Sequence, residues 1–183
     1  MLNAYNQTQP TSDHPYLINS RKIPLSTLHH PKFTNRIRID PHKNAIFPHF
    51  DTGRVCGYEI KNSRFTGFSP HGHRGLWCSI WQPNYNRLII TESAIDVLSF
   101  HALHGQENDF YLSIGGQLGK KQLSLIQRAI TNISGDASLF VAFDNDAKGH
   151  QYASILQEVL EGIRLTRLLP QAKDWNDDLQ TAV

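Results

Sequence analysis

The sequence predicts an α/β protein with a mainly parallel sheet flanked by helices, preceded by a small basic α+β lobe. From residue 87 onward, short apolar runs alternate with helical patterns, which is typical of successive βαβ units. Before residue 87, short runs alternate between apolar and polar residues, and a turn signal separates two of them. The charge distribution changes at about the same place.

The two halves of the chain differ in charge. Residues 1–90 contain eleven Lys and Arg against four Asp and Glu, whereas the remainder contains seven basic and twelve acidic residues. A basic half with interleaved aromatics suits a polyanion, and an acidic half can concentrate carboxylates around a cation. An ordinary solvated surface is the alternative explanation of the same basic residues.

The composition excludes several classes of protein. Hydrophobic residues make up 39% and charged residues 19%, as in an ordinary globular chain. No run approaches the roughly 18 apolar residues of a membrane span, and the polar N-terminus does not match a signal peptide, so we expect a cytoplasmic protein without a membrane partner. Cys56 and Cys78 are too few for a disulfide framework or a four-cysteine zinc site. The ten histidines lack the accompanying ligands of a zinc finger.

The N-terminal elements are predicted as follows. Residues 1–14 are expected to form a flexible lead-in, and residues 15–86 the basic lobe. Within the lobe, a short helical hairpin interrupted by Pro24 is expected over residues 16–28. The strands of a small antiparallel sheet are expected at 36–40, 44–50 and 54–60, with a further strand at 76–81 in a loop-like segment. Asp-Thr-Gly at 51–53 is a strong hairpin signal.

The second domain is predicted over residues 87–183. Its first strand, RLIIT at 87–91, is almost continuously apolar, as in a parallel strand that is buried on both faces. The other predicted strands lie at 110–114, 138–143 and 163–169. The predicted helices lie at 93–104, 122–132 and 147–161. This alternation predicts a mainly parallel sheet with helices on its faces.

Acidic residues follow two of the predicted strands. Glu92 comes directly after the first strand, and Asp144 and Asp146 come after the strand at 138–143. Ligands of parallel α/β sheets gather at the carboxyl ends of the strands, so these side chains are expected on one rim. Hard oxygen ligands of this kind favour Mg²⁺ or Mn²⁺. Alternatively, Glu92 simply begins a helix and the Asp-Asn-Asp segment forms a turn.

A third acidic cluster, Asp-Trp-Asn-Asp-Asp at 174–178, follows the last predicted strand. Two interpretations remain open for it. Asp174 is either a ligand to a second cation or the N-cap of a final helix.

The segments TESAIDVLSF, AFDNDAKGHQYA and AKDWNDDL, in this order and spacing, resemble the three signatures of the Toprim domain. That domain is shared by bacterial-type primases, topoisomerases, OLD-family nucleases and recombination mediators. The resemblance covers residues 87–179, about half of the chain. It implies a Rossmann-like fold of the Toprim type.

The resemblance also implies roles for particular residues. Glu92 corresponds to the glutamate to which general acid/base or metal-related roles are assigned. Asp96, one helical turn further on, corresponds to a second acid in the helix that follows. Gly115 and Gly116 occupy the glycine turn after the second strand. The implied metal ligands are Glu92, Asp144, Asp146 and Asp174. Asn176 stands where primases carry a second aspartate, so the number of metal ions is left open.

The N-terminal half is similar to the segment that precedes Toprim in the catalytic core of bacterial-type (DnaG-like) primases. NAIFPHFDTGRVCGYEIKN resembles its strand-hairpin-strand, HGHRGLW its KGR-like segment, and YLINSRKIP the small domain common in plasmid and phage proteins. The analogy gives candidates for contacting nucleic-acid phosphates or nucleoside triphosphates. They are Arg54, Lys61, Arg64, Arg74 and Lys148, with His71 and His73 as additional candidates.

The expected function is Mg²⁺-dependent nucleotidyl transfer by a minimal primase-like protein that acts on single-stranded DNA. The zinc module and helicase-docking domain of bacterial primases have no counterpart in the chain, so a helicase, a relaxase or a zinc-module protein is an expected partner in trans. Nucleoside triphosphates are the expected second substrate. The alternatives are a metal-dependent nuclease and a non-catalytic nucleic-acid-binding module of a replication or mobilisation complex.

Overall fold

The computed structural model describes residues 1–133 and 137–182, which contain two five-stranded sheets. In the first sheet the strands follow one another in chain order and are antiparallel. They are β1 (Gln9–Pro10), β2 (Arg38–Ile39), β3 (Ala45–Asp51), β4 (Arg54–Lys61) and β5 (Thr66–Phe68). The predicted hairpin joins β3 to β4, and its turn residues Thr52 and Gly53 both have positive φ, at 49° and 81°.

The second sheet has the order β10-β9-β7-β8-β6. Its strands are β6 (Trp77–Cys78), β7 (Arg87–Thr91), β8 (Asp109–Ser113), β9 (Ser138–Val141) and β10 (Leu165–Arg167). All neighbours are parallel except the edge strand β6, which is antiparallel to β8. The predicted mainly parallel sheet is confirmed, although β6 and β10 are shorter than the sequence pattern indicated.

Helices cover both faces of the second sheet. They are α3 (Ala94–His104), α4 (Lys120–Thr131), α5 (Ala147–Val159) and α6 (Trp175–Ala182). Successive residues of β7 face opposite sides, since Ile89 packs with α3 and α6 whereas Leu88 and Ile90 pack with α4 and α5. Within the described residues, no helix combines the length and hydrophobicity needed to cross a membrane.

The segment predicted as a helical hairpin is less regular than expected. It consists of a π-helical turn over Tyr16–Ser20 and the single-turn helix α2 (Leu25–Leu28). Pro24 lies immediately before α2, where a fixed φ and a missing N–H are tolerated. The proline therefore begins the second element and prevents a longer helix from continuing through residue 24.

The segment predicted as a flexible lead-in is part of the first sheet. It carries α1 (Leu2–Asn6) and β1, and β1 pairs with β2. Arg38 of β2 donates hydrogen bonds to Thr8 Oγ1 at 2.6 Å and to the Thr8 carbonyl at 2.7 Å. Its guanidinium also lies 4.9 Å from the centre of the Tyr5 ring. These contacts hold the N-terminal residues against the lobe, which hydropathy alone does not indicate.

The basic lobe and the α/β domain share one hydrophobic core. Leu17 and Phe33 of the lobe pack in the same buried cluster as Ile89, Val97 and Trp175 of the second domain. The strand β6, from the end of the lobe segment, also completes the edge of the second sheet. The lobe therefore packs on the face covered by α3 and α6, and leaves the carboxyl edge of β7 and β9 for the acidic residues.

Candidate metal and nucleic-acid site

Glu92 lies directly after β7 at the carboxyl edge of the second sheet. Its carbonyl accepts hydrogen bonds from the Gly116 N–H at 2.8 Å and from Ser113 Oγ at 3.2 Å. The residue is only 5% exposed, and Oε1 has no hydrogen-bond partner within the described residues. Burial raises the pKa of the Glu92 carboxyl, the Lys148 ammonium opposes this rise, and the charge of Asp146 adds to it.

Asp144 lies at the same edge, because β9 runs parallel to β7 as its direct neighbour. The Ala142 N–H donates to the Ile90 carbonyl at 2.8 Å and continues this pairing toward the site. Asp144 Oδ1 is buried and has no partner in the part of the chain described. Burial raises the pKa of Asp144 to about 8. The surrounding carboxylates add to this rise: Asp96, Glu92, Asp174 and Asp146.

Asp146 combines a place in this acidic group with a structural role. It is the N-cap of α5, and its Oδ1 accepts a hydrogen bond from the Gly149 N–H at 2.9 Å. This hydrogen bond lowers the pKa of Asp146 and keeps the side chain ionised. A Cβ on Gly149 would lie 2.1 Å from the Asp144 carbonyl oxygen. Glycine at position 149 therefore lets the start of α5 lie directly against the site.

Asp96 lies in the first turn of α3 and is buried beside the other acids. It forms a capping box with Ser93, in which Asp96 Oδ2 accepts from the Ser93 N–H at 3.1 Å and from Ser93 Oγ at 2.6 Å. Burial raises the pKa of Asp96 to about 6; the Ser93 hydrogen bond opposes this rise and Asp174 adds to it. Asp96 thus fixes the helix start next to Glu92.

The charge of Asp174 raises the pKa of both Asp96 and Asp144. Asp174 Oδ1 accepts a hydrogen bond from the Asp177 N–H at 2.8 Å, which is the N-cap interaction for α6. The N-cap interpretation is therefore confirmed for one oxygen. The role as a ligand to a second cation stays a prediction.

The amide oxygen and nitrogen of Asn176 both form hydrogen bonds within the protein. Its amide nitrogen donates to the Arg21 carbonyl at 2.7 Å and to Ser99 Oγ at 3.0 Å. Its Oδ1 accepts from Gln180 at 3.1 Å and from Arg21 at 3.4 Å. The amide of Asn176 therefore joins the basic lobe to α3 and α6, and a carboxylate at this position would lose the donor half of these bonds.

Two cations hold the glycine turn beside Glu92. Lys148 Nζ donates to the Gly116 carbonyl at 2.7 Å and lies 3.8 Å from Glu92 Oε2. Arg74 donates to the Gly115 carbonyl at 2.7 Å. Both glycines have positive φ, at 65° and 77°, which favours glycine over other residues. Lys148 and Arg74, predicted to contact phosphate, are thus placed at the acidic rim.

Lys61 is buried instead of facing solvent. Its Nζ lies 3.0 Å from Glu59 Oε2, while Glu59 Oε1 lies 3.1 Å from His49 Nε2. Burial acts against ionisation of Glu59, yet the charges and hydrogen bonds of Lys61 and His49 together lower its pKa to about 2. A buried, paired ammonium is not exposed to a phosphate, so the geometry of Lys61 favours a role within the lobe.

The other predicted phosphate contacts lie on the surface. Arg54 and Arg64 are exposed, as are His71 and His73. His73 Nε2 lies 3.4 Å from Asp51 Oδ2, and of the two side chains only His73 is exposed. None of the described contacts ties these side chains to the acidic rim, and their phosphate-binding role stays a prediction.

Arg167 is a site residue that the sequence analysis missed. Its guanidinium donates to the Asp144 carbonyl at 2.9 Å and to the Val141 carbonyl at 3.1 Å. The charges of Glu92 and Asp144 favour its ionised form, although burial lowers its pKa. A basic residue within the apolar strand IRLTRLL was the available signal. Arg167 therefore holds the backbone at the end of β9, next to Asp144.

The donor set fits a hard divalent cation. Glu92 and Asp144 each present a buried carboxylate oxygen without a partner in the described residues, and acids surrounding Asp144 make its ionisation costly without a cation. Within residues 1–133 and 137–182, no group of three or more His, Cys, Asp or Glu side chains is already arranged around one metal position. The acids thus interact electrostatically, since Asp96, Glu92, Asp174 and Asp146 all raise the pKa of Asp144.

Two family models match parts of this chain. A family model described as Toprim-like matches residues 89–179, and a second one, described as a protein of unknown function (DUF3991), matches residues 15–84. The chain therefore contains a Toprim-like domain, preceded by a DUF3991 segment that corresponds to the basic lobe. A search of curated proteins found no match.

Solved primase structures share the overall fold. The primase fragment of the bacteriophage T7 primase-helicase protein is 15% identical, with a TM-score of 0.71, covering 97% of this chain and 72% of that one. A second match comes from the complex of T7 lagging-strand DNA polymerase with primase domains of two gp4 subunits bound to an RNA/DNA hybrid and dTTP. Its TM-score is 0.64 at 15% identity, covering 96% of this chain and 87% of that one. The chain thus contains a Toprim-like domain, and its overall fold is similar to that of these primase structures.

Proposed function

We propose that the protein catalyses Mg²⁺-dependent nucleotidyl transfer on a single-stranded DNA template, as a primase-like enzyme. One observation carries this proposal. Glu92 and Asp144, at the ends of adjacent parallel strands, each have a buried carboxylate oxygen without a partner in the described residues. Such unpartnered anionic oxygens are unfavourable in the absence of a cation, and Mg²⁺ prefers oxygen ligands of this type.

Glu92, Asp144 and Asp146 would hold the metal ion, with Asp174 as the candidate ligand for a second one. When bound, the ion supplies positive charge that neutralises phosphate oxygens and stabilises the charge that develops during phosphoryl transfer. Mn²⁺ has the same preference for oxygen ligands and would serve as a substitute. The Gly149 N–H holds the Asp146 carboxylate, and Arg167 holds the backbone carbonyl of Asp144.

The reaction joins the 3′-hydroxyl oxygen of one nucleotide to the α-phosphorus of a nucleoside triphosphate. The bond from that phosphorus to the leaving pyrophosphate breaks, and the hydroxyl proton leaves the attacking oxygen. The ionised Glu92 carboxylate is the candidate acceptor of this proton. Its pKa is raised toward neutral pH, where a general base is most effective. Lys148 and Arg74 donate to the glycine turn beside Glu92 and would contact the triphosphate oxygens.

Incubation with Mg²⁺, labelled ribonucleotides and a single-stranded template tests the proposal directly. Extension products of the labelled nucleotides are the expected result. Shortened template would instead assign a metal-dependent nuclease, and retention of template without turnover would assign a non-catalytic binding module. Either of these two results would overturn the primase-like assignment.

Substitution of single carboxylates locates the activity. Glu92→Gln should reduce turnover by a factor of at least about 1000, because one group is lost from both metal binding and proton transfer. Glu158→Gln, an exposed carboxylate on α5, is the matched control and should leave turnover unchanged. Activity that survives Glu92→Gln would place the reaction elsewhere in the protein.

A further inference from the structure

A groove of about 630 Å³ lies between the β3–β4 turn and the second half of α4. Its floor is apolar and includes Leu76 and Leu112, and one wall is formed by Leu125 and Ala129 of α4. The short edge strand β6 borders it, next to the bridge that joins Phe50 of the first sheet to Leu76. The groove does not include any of the acidic rim residues, so it is separate from the candidate metal site.

The rim of the groove carries a large open aromatic ring. Trp81 is 47% exposed, whereas Trp77 and Trp175 are buried. An indole that lies open beside an apolar floor loses water-exposed area when a flat ring stacks on it. Bases of single-stranded nucleic acid are ligands of this kind, and stacking on aromatic side chains is a main contribution to their binding.

Arginines border the groove, and the neighbouring Asp51 is paired with Lys121 at 2.6 Å. Arg128 of α4 lines it, and Arg54, the exposed first residue of β4, directly follows the lining residue Gly53. The Arg36 guanidinium lies 4.6 Å from the ring centre of Phe50, which also lines the groove. No Asp or Glu occurs among the lining residues, taken over the part of the chain that the structure describes. Arg54 and Arg128 form no ion pair with the described residues, which leaves their guanidinium groups for an anion.

We propose that this groove binds a segment of single-stranded nucleic acid, with a base stacked on Trp81 and backbone phosphates at Arg54 and Arg128. The proposal rests on the proposed action on nucleic acid and gives that action a second contact surface, away from the acidic rim. An apolar slot between arginines matches a ligand with flat apolar rings and regularly spaced negative charges. An amphipathic acidic peptide would share the negative charge but would not require an aromatic ring at position 81.

Fluorescence polarisation with a short labelled oligodeoxythymidylate tests the assignment on the full chain. Trp81→Ala should weaken binding about tenfold, and Trp81→Phe should retain most of the affinity, because the smaller ring still stacks. Phe65→Ala is the control, since Phe65 is also an exposed aromatic, at 53%, and does not line the groove. Arg128→Gln should weaken binding and reduce the salt dependence by about one phosphate contact, whereas Arg164→Gln should change neither.

Intrinsic fluorescence gives a second readout that does not depend on the variants folding. The oligonucleotide should quench the wild-type emission, with Trp81 as the exposed tryptophan. Equal affinity of Trp81→Ala and the wild type, or competition by an acidic amphipathic peptide with no quenching by DNA, would overturn the proposal. Glu92→Gln should keep full oligonucleotide affinity, so loss of catalysis and loss of groove binding are distinguishable.

Discussion

Lys148 Nζ lies 3.8 Å from Glu92 Oε2 and donates to the carbonyl of Gly116, so one ammonium joins α5, the glycine turn and the end of β7. The separation is long for an ion pair, and the Lys148 side chain is half exposed. An exposed pair of this kind contributes little to stability. Contact with an anionic substrate is the role that the proposed function gives to this ammonium.

Replacing Lys148 by Met should raise the KM for nucleoside triphosphate about tenfold, with a smaller effect on kcat. The Lys148 charge lowers the pKa of Glu92, so its removal raises that pKa, and the acid limb of the pH–rate profile should move to higher pH. Steady-state kinetics across pH measure both effects. Lys43→Met, which removes an exposed lysine in the lobe, should change neither. An unchanged pH–rate profile would mean that the Lys148 charge does not affect the pKa of Glu92.

Asp144→Asn should stabilise the metal-free protein. The pKa of Asp144 is raised to about 8 in the folded chain, so its ionised form disfavours folding when the pH exceeds the pKa of the unfolded chain. The gain at neutral pH should be about 2 kcal/mol, less than the full shift because the group is partly solvated. Chemical denaturation in EDTA measures it. Mg²⁺ should then stabilise the wild type but not the variant. Equal stabilisation of both proteins would mean that Asp144 is not a metal ligand.

The strand ends could be predicted from the sequence because the apolar runs before Glu92 and Asp144 are short and nearly continuous. A buried parallel strand requires that pattern, and the acids at its carboxyl end follow from chain order alone. The N-cap role of Asp174 was one of the two interpretations that the sequence allowed. Hydrogen bonding of the Asp177 N–H shows that this interpretation and a place in the acidic group are compatible.

The remaining contacts depend on long-range register that a single sequence does not specify. Glu59 pairs across the hairpin with Phe47, and a register shift occurs between His49 and Phe50. The regular pairing before that shift places His49, opposite Gly57, beside Glu59, and Lys61 lies on the same side of the hairpin. The resemblance to the primase core indicated a phosphate-contacting residue at position 61. The α1–β1 segment was missed for the same reason, since its pairing with β2 joins residues that are distant in the chain.

Gly149→Ala should be destabilising although alanine is the better helix former. Its Cβ would lie 2.1 Å from the Asp144 carbonyl oxygen, so α5 or the Asp144 loop must move. We expect a loss of about 2 kcal/mol in the free energy of unfolding and a weaker response to Mg²⁺. Gln157→Ala, at an exposed position of the same helix, should be neutral or slightly stabilising. Unchanged stability of Gly149→Ala would mean that the helix start has room to adjust.

His101 should make the protein sensitive to mild acid. Burial lowers its pKa to about 4, with the charges of His30 and Lys32 adding to the effect. The unfolded chain binds a proton near pH 6.5, so stability should fall as the pH drops from about 6.5 to about 4 and then level off with respect to this group. The loss should reach about 2 kcal/mol after allowance for partial solvation. His101→Gln should flatten this part of a stability profile from urea denaturation, and an unchanged slope would assign it to other groups.

Glu59→Gln should be among the most destabilising single changes in the lobe. It leaves Lys61 buried without its carboxylate partner, and His49 loses the acceptor that lies 3.1 Å from its Nε2. Removing one partner of a buried pair typically costs about 3–5 kcal/mol, because the other charge remains buried. The wild-type pair should also weaken in acid. The pKa of Glu59 is lowered to about 2, so its contribution is complete above the pKa of the unfolded chain and is lost as the pH falls toward 2.

The double variant Glu59→Gln/Lys61→Met separates a buried-charge effect from a packing effect. If the cost of Glu59→Gln arises from the unpaired ammonium, the second change removes that charge and should restore most of the lost stability. A double-mutant cycle from urea denaturation gives the coupling energy between the two positions. Additive losses would mean that each side chain acts through its own packing, and the lobe would then not depend on the Glu59–Lys61 ion pair.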